Sequence, residues 1–419
     1  MSDFQERSPL TSVTSLGAEQ LVPKVVIREG LLLFILAAIQ FTNVMDFVIM
    51  MPLGPQLMRV FDINPSQFGL VVSAYTFSAA VSGFCSAFYI DRLDRKKALL
   101  GLYLGFAIGT ALCALAPTFE LLVAARVVAG LFGGVLGALV LAIIGDAIPE
   151  ERRGAATGKV MASFSIASIA GIPVGLYLAS KTSWHAPFYL LAGMSLLVLG
   201  LAMKFLPELK GHLTNAPHEK PHKVLLNILR NKNLLWALLM VVILQLAGFT
   251  VVPFVSPYMV ANIGFEEAEL SYIYLFGGLA TVVTSQLAGR LADKYGKKRV
   301  YIISALFSII PILAITHLPR MEHYLVFIVT TIFFIVFGAR FVPAMSLITS
   351  SVEPKQRGSF MSINSSVQQA ASGMAAFLSG LIVQKASNGE LLHFGTVGIL
   401  ASVATVVSIF AILKLKQVS

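Results

Sequence analysis

The sequence predicts an all-α membrane protein: twelve transmembrane helices arranged as two pseudo-symmetric six-helix bundles. Three observations carry that expectation. Twelve apolar stretches are long enough to cross a bilayer, one half of the chain overlays the other, and the loops between spans alternate in charge. The hydrocarbon core is about 30 Å thick, so a helix rising 1.5 Å per residue needs roughly 20 apolar residues to span it.

Spans 1 to 6 are expected near residues 30–51, 67–89, 98–116, 119–147, 156–180 and 187–206. Spans 7 to 12 follow near 234–260, 269–291, 299–317, 322–349, 359–384 and 393–413. Around them the chain divides into an N-terminal tail (1–29), a first bundle (30–206), a linker (207–232), a second bundle (233–413) and a short C-terminal tail (414–419). Apolar residues make up 57% of the chain and charged ones 12%, against about 45–50% and about 25% for soluble domains. The first thirty residues are mostly polar and span 1 is too long for a signal h-region, so no cleavable leader is expected.

The net charge of +10 reflects sidedness and not nucleic-acid binding. With the N-terminus in the cytoplasm, 25 of the 31 Lys and Arg fall on cytoplasmic segments or at the cytoplasmic ends of spans. The outer loops hold four (Arg59, Lys181, Arg320 and Lys385), and Arg126 and Arg340 lie deep within spans. That asymmetry follows the positive-inside rule and sets both termini in the cytoplasm. Cys85 and Cys113 fall near opposite ends of neighbouring spans, too far apart to form a disulfide.

A shift of 202 residues places Asp91-Arg92-Leu93-Asp94-Arg95-Lys96-Lys97 on Asp293-Lys294-Tyr295-Gly296-Lys297-Lys298-Arg299. Pro55 then meets Pro257 and Pro117 meets Pro319, while Arg153-Gly154 matches Arg357-Gly358 two residues later. Chance similarity of apolar segments does not put charged loops and prolines in register. Duplicated bundles imply a substrate site between them near the bilayer middle. In the linker, His212, His218 and His222 lack Cys or carboxylate partners at ligand spacing, so a solvated linker is expected and no metal. Val224, Leu225, Ile228 and Leu229 recur at helical spacing beside Lys223, Arg230 and Lys232, suggesting a short helix on the inner membrane surface.

Residues 289–299, Gly-Arg-Leu-Ala-Asp-Lys-Tyr-Gly-Lys-Lys-Arg, resemble the loop signature of the major facilitator superfamily. The copy from Ala87 to Lys97 departs from it, with Ala87 for the first Gly and Asp94 for the turn Gly. Leu122, Arg126, Gly130 and Gly133 on span 4 resemble the family's second motif, and Gly171-Ile172-Pro173-Val174-Gly175 on span 5 is similar to the helix-5 motif of drug and sugar efflux members. Asp46, six residues before Pro52, resembles the acidic helix-1 segment of twelve-helix drug:proton antiporters. The resemblance covers nearly the whole chain. It implies the major facilitator fold, alternating access, a monomer, a small-molecule substrate and no cofactor, in a bacterial inner membrane.

A charge inside a span costs about 2.5–3.5 kcal/mol on the mild insertion scale, so such residues are functional candidates. Only Asp46, Arg126 and Arg340 sit deep. Asp46 shares a polar stripe with Gln40, Asn43, Phe47 and Met50. Asp46 and Arg126 are expected to form an exchangeable pair: separated by substrate or by rocking of the halves, the desolvated carboxylate takes a proton. A permanent structural pair, or Asp46 as a direct substrate ligand, are the alternatives. Arg340 has no acidic partner apparent in the sequence. It points to an anionic or hydroxyl-rich substrate, or to pairing with helix carbonyls or with a shared Asp46.

The substrate-contacting candidates are Asn43, Phe47, Tyr75, Gln245, Phe254, Phe337 and Arg340, with Phe41, Phe164, Tyr258 and Phe341 as further aromatic candidates. For gating, Asp91 is expected to latch the inner mouth through the N-terminus of span 11 or through Arg152 or Arg153, with Arg95 in the same loop. Asp293, Gly296, Lys297 and Arg299 would be its counterpart. Gly171, Pro173 and Gly175 are expected to kink span 5 and let a neighbour pack closely. The leading expectation is proton-coupled export of a drug-like compound or small metabolite. A uniporter or importer of an organic anion, sugar or siderophore is the alternative, with a lipid flippase or a sensor further off. No paired catalytic carboxylates, His cluster or Ser–His arrangement suggests an enzyme, and no G-x-x-x-x-G-K-[ST] suggests an ATP-driven pump.

Overall fold

The computed structural model describes residues 29–86, 88–209, 226–228, 230–353 and 357–418. Six long helices form the first half: α1 (Glu29–Ile49), α2 (Pro65–Ser86), α3 (Arg95–Leu115), α4 (Phe119–Ala147), α5 (Glu150–Lys181) and α6 (Ala186–Phe205). The second half holds α7 (Lys232–Ile263), α8 (Leu270–Tyr295), α9 (Lys297–Thr316), α10 (His323–Ser350), α11 (Arg357–Ile382) and α12 (Phe394–Lys414). Among the described residues, eleven of these are long and apolar enough to cross a membrane. The exception is α11, at 26 residues long enough but carrying Ser362, Asn364, Ser365, Ser366, Gln368, Gln369 and Ser372 in its first two-thirds.

Local chemistry sets the helix starts. Asp94 caps α3 by accepting from the backbone N–H of Lys96 at 2.9 Å, and Asn231 caps α7 by accepting from Asn233 N at 2.9 Å. Thr118 caps α4, and Pro187 stands in the first turn of α6 where its missing N–H is not needed. Two helices are less regular than expected. α5 contains a π-helical turn at Ala167–Gly171 just before Pro173, and α7 is interrupted near Thr250 and ends in a π turn at Met259–Ile263.

The loops at the ends carrying residues 92–97, 150–153 and 294–299 define a basic face. The other ends form the opposite face. α2 packs along α11 over most of its length, which joins the halves. Small residues permit the approach: a Cβ on Gly69 would lie 2.9 Å from the Ala376 carbonyl oxygen, and one on Gly83 3.0 Å from Ser366 Oγ. α5 meets α8 through its π turn and final segment, where Gly278 lies against the Ser168 backbone.

The core is divided unevenly. One apolar cluster takes residues from both halves, including Met45, Phe68, Leu176, Phe254, Ile273 and Phe394. Two others belong to one half each, built around Leu36, Tyr103 and Val160 in the first and around Met240, Tyr301 and Phe360 in the second. The shared cluster lies toward the opposite face and the separate ones toward the basic face. Across the opposite face Arg59 pairs with Glu267, Phe68 meets Phe254 edge-on, and Pro257 lies against Gly54. A hairpin of β1 (Gln384–Lys385) and β2 (Leu391–Leu392) packs there too, held by Asn262, which donates to Leu391 O at 3.0 Å and accepts from Leu391 N at 2.9 Å.

The linker histidines His212, His218 and His222 lie outside the described residues, as do Val224, Leu225 and Leu229. Residues 226–228 are helical, and Ile228 is buried in the second half's core rather than facing a lipid surface. Cys85 is exposed and Cys113 buried, and neither is bridged.

Candidate transport site

Asp46 on α1 and Arg126 on α4 meet in the interior of the first half, both fully buried. Arg126 Nη1 donates to Asp46 Oδ2 at 2.7 Å and to the Asp46 carbonyl at 3.2 Å. Thr110 on α3 donates its hydroxyl to Asp46 Oδ1 at 3.0 Å. Both carboxylate oxygens are thus satisfied, as a buried charge requires. The guanidinium is less well served, because Nε and Nη2 are buried without a hydrogen-bond partner. Instead it lies over the Tyr75 ring, 4.5 Å from the centroid, which favours the cation electrostatically.

Tyr75 ties this pair to the candidate substrate residues. Its hydroxyl donates to Asn43 Oδ1 at 2.8 Å, and Asn43 Nδ2 donates to the Gly133 carbonyl at 3.2 Å. The ring stacks on Phe47 with centroids 5.5 Å apart, and Phe47 stacks at 6.0 Å on Phe249 of the other half. Gly130 and Gly133 let α4 approach, since a Cβ on Gly130 would lie 2.2 Å from the Tyr75 carbonyl oxygen and one on Gly133 2.4 Å from the Tyr75 hydroxyl.

Arg340 on α10 is the counterpart in the second half, also buried, with its guanidinium 5.2 Å from the Phe337 ring centroid. It donates to Ser308 Oγ at 3.3 Å, Thr405 Oγ1 at 3.0 Å and the Ala247 carbonyl at 3.1 Å. Among the described residues it has no acidic partner, and Asp46 is bound to Arg126 instead. Gly248 packs directly on Phe337, so two buried arginines, each under an aromatic face, are joined across the halves by Tyr75, Phe47, Phe249 and Phe337.

The remaining candidates are dispersed. Gln245 donates to Ser372 Oγ on α11 at 2.6 Å, near the junction of the halves. Phe254 and Tyr258 belong to the packed opposite face, where Tyr258 donates to the Leu318 carbonyl at 2.9 Å. Phe164, expected as a possible cavity aromatic, is 47% exposed on α5. Phe41 packs near Gly171, and Phe341 lies at the edge of the second half's own core.

The gating residues make partners different from those expected. The side chain of Asp91 lies outside the described set. Arg152 pairs with Glu29 at 2.7 Å, and Arg153 donates to the Ile148 carbonyl at 2.9 Å. Arg95 is buried and bonded to Asp146 Oδ2 at 3.0 Å, a partner the sequence reading missed. In the second half Asp293 is exposed and has no ion pair with Lys297, Arg299 or any other described residue. Gly296 turns the chain at φ +92°, and Lys297 points to Ser350 Oγ at 2.6 Å. The latch expected at Asp293 is therefore not closed. Gly171 and Gly175 abut Met45 and Ile49 on α1, with Pro173 between them, so this motif provides close helix packing.

Residues 36–254 and 238–418 each match the sequence model of the Major Facilitator Superfamily. The chain is 24% identical over 367 residues to the MFS-type transporter YceJ of Bacillus subtilis, covering 86% of this chain and 90% of that protein. It is 25% identical over 266 residues to a probable sugar efflux transporter of Helicobacter pylori, covering 63% and 66%. Among solved structures, a D-xylose–proton symporter superposes with a TM-score of 0.76 at 16% identity, covering 92% of this chain and 97% of that one.

Proposed function

The chain belongs to the major facilitator superfamily, and from that premise we propose that it is a proton-coupled exporter of a drug-like compound or small metabolite. It is a multi-pass membrane transporter and not an enzyme. On this reading the basic face is cytoplasmic in a bacterial inner membrane; the apolar cluster shared by the halves then lies toward the outside and the two separate clusters toward the cell interior. The observation that carries the reading is the buried Asp46–Arg126 pair, set beside an aromatic bridge that crosses between the halves.

Substrate entering from the basic face reaches Phe47, Asn43 and Tyr75 before it reaches the pair. Any displacement of Tyr75 disturbs the ring under Arg126 and with it the grip on Asp46. Once Arg126 moves away, a buried carboxylate is more stable protonated than charged. Closure of the basic face then requires parting of the opposite face, where Arg59–Glu267 and the contact of Gly69 on α2 with Ala376 on α11 must yield. One proton moving down 100 mV supplies about 2.3 kcal/mol, enough to bias that equilibrium.

A second reading is supported by Arg340, whose charge faces only neutral acceptors. An organic anion or a sugar would suit it, by import or facilitated passage. Counterflow in proteoliposomes separates the two: rates that ignore an imposed pH gradient remove proton coupling and leave the second reading.

A further inference from the structure

We propose that a cavity on the basic face, between the α8–α9 turn and the C-terminal tail, binds a phosphate-bearing anion. It is a shallow recess open to solvent, about 510 Å³ in volume, lined by Tyr295, Gly296, Lys297, Lys298, Arg299 and Gln417. Hydrogen bonds tie the turn and the tail together at its edge. Lys297 donates to Ser350 Oγ at 2.6 Å, and Val418 N donates to the Ser350 carbonyl at 2.9 Å. Asn233 clamps the tail, accepting from Lys416 N and donating to Lys416 O, each at 2.8 Å.

The repeat within the chain shows what this turn has lost. In the first half the carboxylate of Asp94 accepts from Lys96 N at 2.9 Å and Lys97 N at 3.4 Å, and Arg95 pairs with Asp146 at 3.0 Å. Asp94 corresponds to Gly296 at a shift of 202, and Asp146 to Ser350 at the shift of 204 that relates Arg153 to Arg357. Both acids are gone from the second copy, while Lys294, Lys297, Lys298 and Arg299 keep all four bases. Of the three aligned acids only the counterpart of Asp91, Asp293, remains. Lys298 and Arg299 have no acidic partner among the described residues, and no side chain caps the backbone N–H groups of this turn.

The second copy is therefore more positive by two charges, and it holds a cavity against the turn whose counterpart Asp94 caps. A phosphate group supplies the missing charge and several acceptor oxygens. Arg299 suits it with a forked donor pair, Lys298 with a point charge, and Gln417 with an amide N–H. Its source is either an anionic phospholipid headgroup of the adjoining leaflet or a soluble phosphate compound. Basic recesses at the cytoplasmic ends of spans suit the first.

The test uses the full-length protein. Delipidated protein in detergent is titrated with inorganic phosphate by calorimetry. In parallel it is reconstituted in phosphatidylcholine bilayers with and without phosphatidic acid, re-extracted, and its retained lipid weighed by mass spectrometry. Lys298→Gln/Arg299→Gln is expected to weaken phosphate binding, or phosphatidic acid retention, by about fivefold for each charge removed. Ser350→Asp, which returns the lost acid to Lys297, should weaken it as well and serves if the double variant does not fold. Phosphate binding without lipid enrichment assigns the soluble source, and enrichment without phosphate binding assigns the headgroup. Binding in neither arm, or equal binding in wild type and variants, overturns the proposal.

Discussion

Asp46→Asn distinguishes a proton carrier from a fixed strut, because the two roles predict different losses. Breaking a buried ion pair by removing one partner costs about 3–5 kcal/mol, since the remaining charge stays buried and uncompensated. Arg126 is badly placed to absorb this, with Nε and Nη2 already unpartnered. Asparagine retains an oxygen that can accept from Nη1, so the expected loss sits at the low end, about 3 kcal/mol. Transport yields the sharper number. For a neutral substrate exchanged for one proton, 100 mV of proton gradient supports about a fiftyfold concentration ratio. Wild-type vesicles should approach that limit, whereas Asp46→Asn vesicles should equilibrate without accumulation yet still exchange labelled for unlabelled substrate. Asp46→Leu/Arg126→Met provides the control. Replacing the whole pair by apolar groups is often neutral or stabilising, so it should regain melting temperature but not accumulation. Asp46→Asn vesicles that accumulate like wild type would refute the coupling role and leave a structural pair.

Arg340→Met should raise KM for anionic substrates by about 10- to 150-fold, the worth of hydrogen bonds to a charged group; an equal rise for neutral substrates in the same uptake assay would make the residue a packing element. Arg59→Ala removes an exposed ion pair worth about 0.2–1 kcal/mol, so cysteine labelling of the opposite face should speed up by no more than about fivefold. Gly278→Val forces a side chain into the Ser168 backbone, where even a Cβ would lie 2.8 Å from the carbonyl oxygen. It should cost about 1–3 kcal/mol and raise labelling of that face, and unchanged labelling would mean that α5 and α8 do not seal it. Asp293→Asn should leave substrate affinity nearly unchanged while slowing exchange, and a pure affinity loss would contradict its role as a latch.

The parts of the molecule that a sequence reveals are those with a one-dimensional signature. Spans are legible because lipid demands about twenty apolar residues in a row, and among the described residues eleven of the long helices meet that rule where it places them. The Asp46–Arg126 contact was legible for a related reason: two charges too costly to leave alone in an apolar interior must find each other. α11 falls short of the same rule because its first two-thirds is rich in polar side chains, and Gln245–Ser372 is one bond they make within the second half. Contacts between the halves leave no such trace. Phe249 is one phenylalanine among 29, and only the placement of α1 against α7 makes it the partner of Phe47. Arg95 was read as a gate residue without its partner, since nothing local to Asp146 distinguishes it from any other acid at a helix end. The repeat contained that information all the same. Aligning Asp146 with Ser350 and Asp94 with Gly296 exposes two acids that one half kept and the other lost. Paired with geometry, that difference separates a turn neutralised from within from one that must draw its counter-charge from outside the chain.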